Sequence, residues 1–351
     1  TRTHNYTLGA DLDVSTTSSW NGASGFAPIG GTFTGSLEGD GHTISNLTVD
    51  RSSTDAVGLV GELGSGATIR NLTVENASIT GNDDVGMVAG ISAGTVKNVT
   101  ASGTTSGNNR IGGLVGTVNG GATVTDATAA AITSGSQSVG GLIGESRGNG
   151  AVNNASATGT VTASGQYAGG LIGNHQSSTP VTDVNASGSV TGESSTGGLI
   201  GRAEANVINA SASGDVVGTS GGKIGGLIGS MRSDITGASA TGDVNASGNN
   251  VGGLIGNYIV GGDIRDSYAR GNVSTSGDNV GGLVGALADG SIIDSYARGD
   301  INSSGSAVGG LVGEASGDVK RVYASGQVEG GNNVGGLVGK NDGQLSDAYW
   351  D

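Results

Sequence analysis

Apolar residues along this chain occur in short clusters that return at a nearly constant spacing. The most regular cluster is a hexapeptide such as "VGGLIG", in which two adjacent aliphatic residues are enclosed by glycines. Successive copies lie 26 to 29 residues apart, which indicates one structural unit repeated along the chain. The Leu position of the hexapeptide is occupied by Leu59, Met87, Leu114, Leu142, Leu171, Leu199, Leu227, Leu254, Leu283, Leu311 and Leu337.

The second half of each unit is equally regular. It begins with an aliphatic residue, and two residues later stands a corner slot that is mostly Asn or Asp. Ala follows three residues after the slot, and Val or Ile comes later still. In "NASATG" (154–159) Ala alternates with Ser and Thr, which is typical of a strand with one buried face, and the slot lies where this alternation breaks. The corner slot comprises Asn71, Asn98, Asp126, Asn154, Asp183, Asn209, Gly237, Asp266, Asp294, Arg321 and Asp347.

Three apolar clusters in about 28 residues, without a helical stripe, predict one coil of a roughly three-sided β-solenoid. The all-β prediction is a parallel β-helix in which residues 56–351 form eleven coils of one continuous domain. Residues 1–55, with Trp20, Phe26 and Phe33, are interpreted as an entry segment that caps the solenoid. A β-propeller is the alternative fold, although its blades usually need about 40 residues.

Composition agrees with an interior built from small side chains. The 351 residues include 73 glycines and only 3% aromatic residues. There is no cysteine and no apolar run long enough to span a membrane, so we expect no membrane insertion within this chain. Thirty acidic residues against 15 basic ones give a net charge of −15, which disfavours binding to nucleic acid and suits a halophilic environment.

The repeated "IGGLVG" and "VGGLIG" resemble the GLUG motif, which is named for its Gly-Leu-hydrophobic-Gly core. The stretch "FTGSLEGDGHTISNLTV" is similar to the segment that precedes GLUG arrays, and "DAYWD" is similar to the sequence that closes them. The altered "VGMVAG" around Met87 and the single Gly58 depart from the pattern.

The resemblance implies an extracellular or cell-surface protein of bacterial or archaeal type, adhesin-like, without chemistry of its own. We therefore expect a non-enzymatic stalk, scaffold or binding surface whose partners are other surface proteins, glycans or copies of itself. A filament built by end-to-end stacking of solenoids is one alternative. A polysaccharide-active β-helix enzyme is another.

Candidate catalytic and metal-binding groups are few. His4, His42 and His175 form no zinc-binding spacing, and His42 is interpreted as a turn residue. Asp266 and Asp294 occupy equivalent slots and are the only acid pair that the enzyme alternative offers, but a structural corner is the favoured interpretation. "EGDGH" (38–42) and "GNDDVG" (81–86) offer oxygen ligands for a structural calcium, although neither matches a known calcium loop, and no cofactor is expected.

Eleven Asn-x-Ser/Thr sequons are candidate N-glycosylation sites of a glycoprotein, although those in the corner slot follow from the repeat itself. They are Asn5, Asn46, Asn71, Asn76, Asn98, Asn154, Asn185, Asn209, Asn245, Asn272 and Asn302.

The residue two places after the corner slot is predicted to point outward and to form a ladder across the coils. Its occupants are hydroxyl or amide residues and then four tyrosines, which Arg270 and Arg298 would flank as a candidate surface-binding stripe for a sugar or a partner protein. A ladder that only stabilises the sheet is the alternative. The ladder comprises Thr73, Thr100, Thr128, Ser156, Asn185, Ser211, Ser239, Tyr268, Tyr296, Tyr323 and Tyr349.

Overall fold

A computed structural model describes residues 2–351. The chain is 58% strand and 3% helix, and parallel coils about 28 residues apart form a β-solenoid of about 12 turns, which confirms the predicted fold class. Each coil contributes to three parallel sheets, here called the long face, the hexapeptide face and the short face.

Contacts divide the chain into two compact units, residues 2–163 with Leu171–Pro180 and residues 164–170 with Val181–Asp351. The predicted boundary at residue 55 stays a prediction.

In the first unit the hexapeptide face and the short face are built from strands of three to five residues, while the long face also contains strands of up to 13 residues. The long face comprises Tyr6–Thr7, Leu12–Asp13, Ser36–Glu38, Thr43–Ser45, Thr48–Asp50, Thr68–Thr80, Thr95–Ser106, Thr123–Gly135, Ala151–Ala157 and Val161–Ala163. The hexapeptide face comprises Ile29–Phe33, Val60–Leu63, Ala89–Ser92, Val115–Val118, Ile143–Ser146 and Ile172–His175, and the short face comprises Asp83–Val85, Asn109–Gly112 and Gln137–Gly140.

The second unit repeats this arrangement with shorter strands. Its long face comprises Val181–Ala186, Val190–Gly192, Val207–Ala212, Val216–Gly218, Ile235–Thr236, Ser239–Ala240, Val244–Ala246, Asp263–Arg265, Tyr268–Ala269, Val273–Thr275, Ser291–Ala297, Ile301–Ser303, Asp318–Ala324, Val328–Glu329 and Leu345–Trp350. The hexapeptide face comprises Ile200–Ala203, Ile228–Met231, Ile255–Tyr258, Val284–Leu287, Val312–Ala315 and Val338–Asn341. The short face comprises Gln166–Gly169, Ser194–Gly197, Ile224–Gly225, Val251–Gly252, Val280–Gly281, Ser306–Gly309 and Asn332–Gly335.

The residues before the repeat also enter the parallel sheets. Tyr6–Thr7 pairs with Ser36–Glu38, which in turn pairs with Thr68–Thr80. A 3₁₀ helix, Ser15–Ser19, is fastened to the strand Thr48–Asp50 because the buried hydroxyl of Thr17 accepts the Thr48 N–H at 3.0 Å. Trp20–Ala23 is assigned as a short α-helix, but its inner residues Asn21 and Gly22 are left-handed, so it is a turn.

The corner slot is a left-handed residue in each coil. All eleven occupants have φ between 47° and 65°, a region that L-residues other than Asn and Asp avoid and that glycine adopts freely. The chain therefore turns here at a fixed position, which explains why Asn, Asp and Gly237 fill most copies and confirms the interpretation as a structural corner. Arg321 is the exception, with φ 50°.

The hexapeptide brings two adjacent aliphatic residues into the interior. In "IGGLVG" (111–116) both Leu114 and Val115 are 0% exposed. A Cβ on Gly116 would lie 2.5 Å from the backbone carbon of Asp84 and the nitrogen of Val85, and one on Gly113 would collide with the Gly141 carbonyl oxygen. The glycines are therefore required because neighbouring backbone approaches too closely for any side chain.

The predicted core is confirmed with one correction. The Leu positions from Leu114 to Leu311 are fully buried, and the small interior residues beside them are Ala, Val and Ile. Leu337 was predicted to be buried in the same way, but it is only half-buried because its coil is the last one described and has a neighbouring coil on one side.

Candidate functional site

The predicted ladder exists in both units as residues paired in register on the long face. In the first unit Thr73, Thr100, Thr128 and Ser156 are consecutive partners, and the hydroxyls of Thr128 and Ser156 are 3.1 Å apart. In the second unit the pairing is equally direct, and its members are Asn185, Ser211, Ser239, Tyr268, Tyr296, Tyr323 and Tyr349. The neighbouring Ala positions are buried, so the ladder residues lie on the outer side of the sheet.

Two of the tyrosines stack closely and carry the predicted arginines. The ring centroids of Tyr268 and Tyr296 are 5.0 Å apart, with an interplanar angle of 4°. The guanidinium of Arg270 lies 4.6 Å from the centre of the Tyr268 ring and donates a 2.8 Å hydrogen bond to the Tyr296 hydroxyl. Arg298 lies 5.0 Å from the Tyr296 ring centre, so both arginines flank the ladder in cation–π geometry.

A pocket of about 370 Å³ lies on the same ladder, one coil further on. The rings of Tyr296, Tyr323 and Tyr349 line it, and Tyr349 is 68% exposed. It is also lined by corner-slot residues of the same three coils, Asp294, Arg321 and Asp347, together with Ser295 and Val322. The prediction of four stacked rings is therefore corrected: within residues 2–351 only Tyr268 and Tyr296 stack, and Tyr323 and Tyr349 line the open pocket with Tyr296.

Two of the charged side chains that line this pocket, Asp294 and Arg321, form an ion pair. Arg321 donates from Nε and Nη2 to the two carboxylate oxygens of Asp294 at 2.6 and 2.7 Å. This contact holds the pKa of Asp294 below its usual range and raises that of Arg321. The carboxylate of Asp347 also lines the pocket, and its negative charge contributes to raising the pKa of Arg321.

The acid pair suggested by the enzyme alternative lies in adjacent coils, directly after the paired residues Arg265 and Ile293. Both Asp266 and Asp294 are left-handed corner residues. A glycosidase needs one carboxyl group whose pKa is raised so that it can donate a proton. Asp294 has the opposite shift and is ion-paired, which suits a structural corner better than a catalytic acid.

The carboxylates considered for calcium are occupied by cations and amides of the chain. Glu38 accepts hydrogen bonds from Arg70 and Asn71, and Asp83 and Asp84 are ion-paired with Arg110. Within the described part of the chain, no group of three His, Asp or Glu side chains is placed to hold a metal ion. None of its helices is long and apolar enough to cross a membrane.

The histidines have separate structural environments. His42 closes the turn at Asp40 and Gly41, since its backbone N–H donates to the Gly39 carbonyl oxygen, and its Nδ1 lies 3.1 Å from Asp11. His175 is completely buried and its Nε2 contacts the Thr179 carbonyl oxygen at 3.0 Å.

Seven of the eleven sequons fall into two structural groups, four in the corner slot and three on outward strand positions. Those in the corner slot already use the amide nitrogen, since Asn98 and Asn154 donate from Nδ2 to the preceding Asn71 and Asp126. Asn185, Asn245 and Asn302 lie instead on outward strand positions and are exposed. Glycosylation of any of them stays a prediction.

A second left-handed corner was missed by sequence reasoning. The residue immediately before each hexapeptide has φ between 51° and 68°, and its occupants include Asp84, Ala307 and Asn250. The complete column is Ala56, Asp84, Arg110, Ser138, Tyr167, Ser195, Lys223, Asn250, Asn279, Ala307 and Asn333. Asn at three positions was the available signal, but the other occupants obscured it.

Stacked parallel coils, two left-handed corners and an outward ladder define a parallel β-solenoid repeat protein. The GLUG motif matches residues 135–162, 192–217, 276–302 and 304–329. These four segments of the chain carry the GLUG motif, which confirms the resemblance predicted from the sequence.

A stretch of 124 residues, 33% of this chain, is 56% identical to halomucin of Haloquadratum walsbyi. That stretch corresponds to 1% of halomucin, so this chain is similar to a very small part of the relative. No solved structure matches the chain.

Proposed function

We propose that this chain is a non-enzymatic, extracellular structural segment whose coils present an adhesin-like binding surface at the outside of the cell. The observation that carries the proposal is the in-register pairing of strands from successive coils within each unit. Because of this pairing, residues at the same repeat position lie side by side and form columns on the outer surface. Such a scaffold needs no catalytic group, because its function lies in rigidity and in the side chains that it displays.

The comparisons support an exported, salt-tolerant setting. The relative, halomucin, is a surface protein, which supports an extracellular or cell-surface location. The net charge of −15 is compatible with concentrated salt, where repulsion between the carboxylates is screened.

The binding surface that we propose is the tyrosine ladder with Arg270 and Arg298. These two arginines contact tyrosine rings, and neither has a carboxylate within ion-pair distance among residues 2–351. The chain as a whole is strongly acidic. An exposed cluster of aromatic rings and guanidinium groups without carboxylate partners is therefore better explained by ligand recognition than by a contribution to solubility.

Antibody labelling of intact producing cells tests the location. We expect labelling without permeabilisation, and labelling only after permeabilisation would contradict an extracellular role.

Incubation with neutral and acidic polysaccharides tests the absence of enzymatic activity, since no new reducing ends should appear. Negative-stain microscopy of the purified chain distinguishes the filament alternative, which requires regular fibres.

A further inference from the structure

The pocket beside Tyr323 combines flat aromatic surface with hydrogen-bonding groups of both kinds. Three tyrosine rings come from successive coils. The Asp347 carboxylate and the Asp294–Arg321 ion pair also line the pocket. The fourth tyrosine of the ladder, Tyr268, does not line this pocket. It stacks directly on Tyr296, and its partner in the preceding coil is Ser239.

Pyranose sugars match such a surface chemically. One side of the ring carries C–H groups that pack on an aromatic face, while the hydroxyls at its rim need donors and acceptors. The coils repeat at about 4.8 Å, so the tyrosines and corner residues of the three coils at the pocket recur at that spacing. An elongated oligosaccharide lying across the strands would contact all three coils at once.

The charge balance of the pocket favours an uncharged sugar. Two carboxylates and one guanidinium line it, and the guanidinium is already bonded to Asp294. An acidic sugar would lie close to the Asp347 carboxylate, which would repel it. Arg270 and Arg298, which contact tyrosine rings, lie on the adjoining part of the ladder and do not line the pocket.

We propose that the pocket formed by Tyr296, Tyr323, Tyr349, Arg321 and Asp347 binds uncharged pyranose oligosaccharides. The inference rests on the proposed function, because it specifies the ligand class of the displayed binding surface. No bond is made or broken, and the site acts by stacking and by hydrogen bonds to sugar hydroxyls.

Calorimetric titration of the full chain with maltohexaose, cellohexaose and mannohexaose tests this assignment, with polygalacturonate as the acidic comparison. We expect at least one neutral hexasaccharide to bind at millimolar or lower concentration. Polygalacturonate should bind at least about tenfold more weakly.

The variants separate ring stacking from folding. Tyr323→Ala should weaken binding about tenfold or more, while Tyr323→Phe keeps the ring and should retain most of the affinity. Asp347→Asn should weaken binding several-fold without loss of thermal stability, since Asn is common at this corner. Asp183→Asn makes the same change in the same column outside the pocket, and it should bind like the parent chain.

Three results would overturn the assignment: no binding of any neutral hexasaccharide, tighter binding of polygalacturonate, or unchanged affinity in a folded Tyr323→Ala variant. Each of these leaves the cell-surface labelling unaffected, so failure of the sugar site can be distinguished from failure of the proposed function.

Discussion

At the scale of single residues, backbone conformation explains more of the repeat than side-chain chemistry does. The first corner was predictable because Asn and Asp dominate it, and both tolerate the left-handed region. The second corner was not, because Lys223, Arg110 and Tyr167 adopt the same conformation under the constraint of the surrounding coil. Sequence pattern therefore identifies a left-handed position only where its preferred residues are used.

His175 makes the stability of the first unit depend on pH. Burial lowers the pKa of His175 from 6.5 to about 4, although its hydrogen bond with Thr179 acts in the opposite direction. The neutral form is therefore favoured in the folded state. Its stabilisation is fully present above pH 6.5 and is lost as the pH falls toward 4, a loss of roughly 3 kcal/mol in the free energy of unfolding.

Chemical denaturation at pH 7 and pH 4.5 measures this effect when the chain is compared with His175→Gln. Glutamine can still donate to Thr179 but does not titrate in this range, and carboxylates contribute equally to both proteins. We expect the parent chain to lose roughly 2 kcal/mol more than the variant. Parallel losses would show that His175 is not the responsible group.

At the scale of the element, the hexapeptide has a structural role, because it forms part of the buried interior of each coil. Its spacing and its small residues were sufficient to predict a solenoid coil, and Leu114 with Val115 confirms that both aliphatic residues reach the interior. The sequence did not reveal which backbone each glycine meets, because that depends on contacts with residues about 30 positions away, such as Asp84.

Gly116→Ala tests the close approach. The new methyl group would lie 2.5 Å from the backbone of Asp84 and Val85, so the coil would have to move and we expect a loss of about 3 kcal/mol or more. Gly121→Ala is the matched control, since nothing lies within 4 Å of its added Cβ, and its stability should change by less than about 1 kcal/mol. Equal effects on thermal unfolding would contradict the packing argument.

At the scale of the molecule, similar coils stack within each unit, and the chain has a net charge of −15. The ladder of tyrosines could be predicted from the repeat alone, but the pocket at Tyr323 could not. It depends on how the rings of Tyr296, Tyr323 and Tyr349 separate, which no spacing in the sequence encodes.

Salt should stabilise the chain because it screens the net charge of −15. We expect the melting temperature to rise between about 0.1 M and 1 M NaCl, where the Debye length falls from about 10 Å to about 3 Å. The triple variant Asp215→Asn, Asp243→Asn, Asp300→Asn should show a smaller rise. Asp215 and Asp243 accept hydrogen bonds from backbone N–H groups of the next coil. Asn272 in the same column accepts the Asp300 N–H in the same way, so Asn side chains in the variant keep these hydrogen bonds. A melting temperature independent of salt would contradict this account.

The central claim is that equivalent positions of successive coils lie side by side, and thiol cross-linking tests it most directly in a chain without cysteine. Ser211 and Ser239 are in-register partners, so the double variant Ser211→Cys, Ser239→Cys should be bridged rapidly by dibromobimane, which fluoresces once it joins two neighbouring thiols. The control pair Ser211→Cys with Thr241→Cys is displaced by two residues and lies roughly 8 Å apart, so it should react much more slowly. Equal rates for the two pairs, or no bridging between the thiols introduced at positions 211 and 239, would contradict the solenoid and the outward columns built on it.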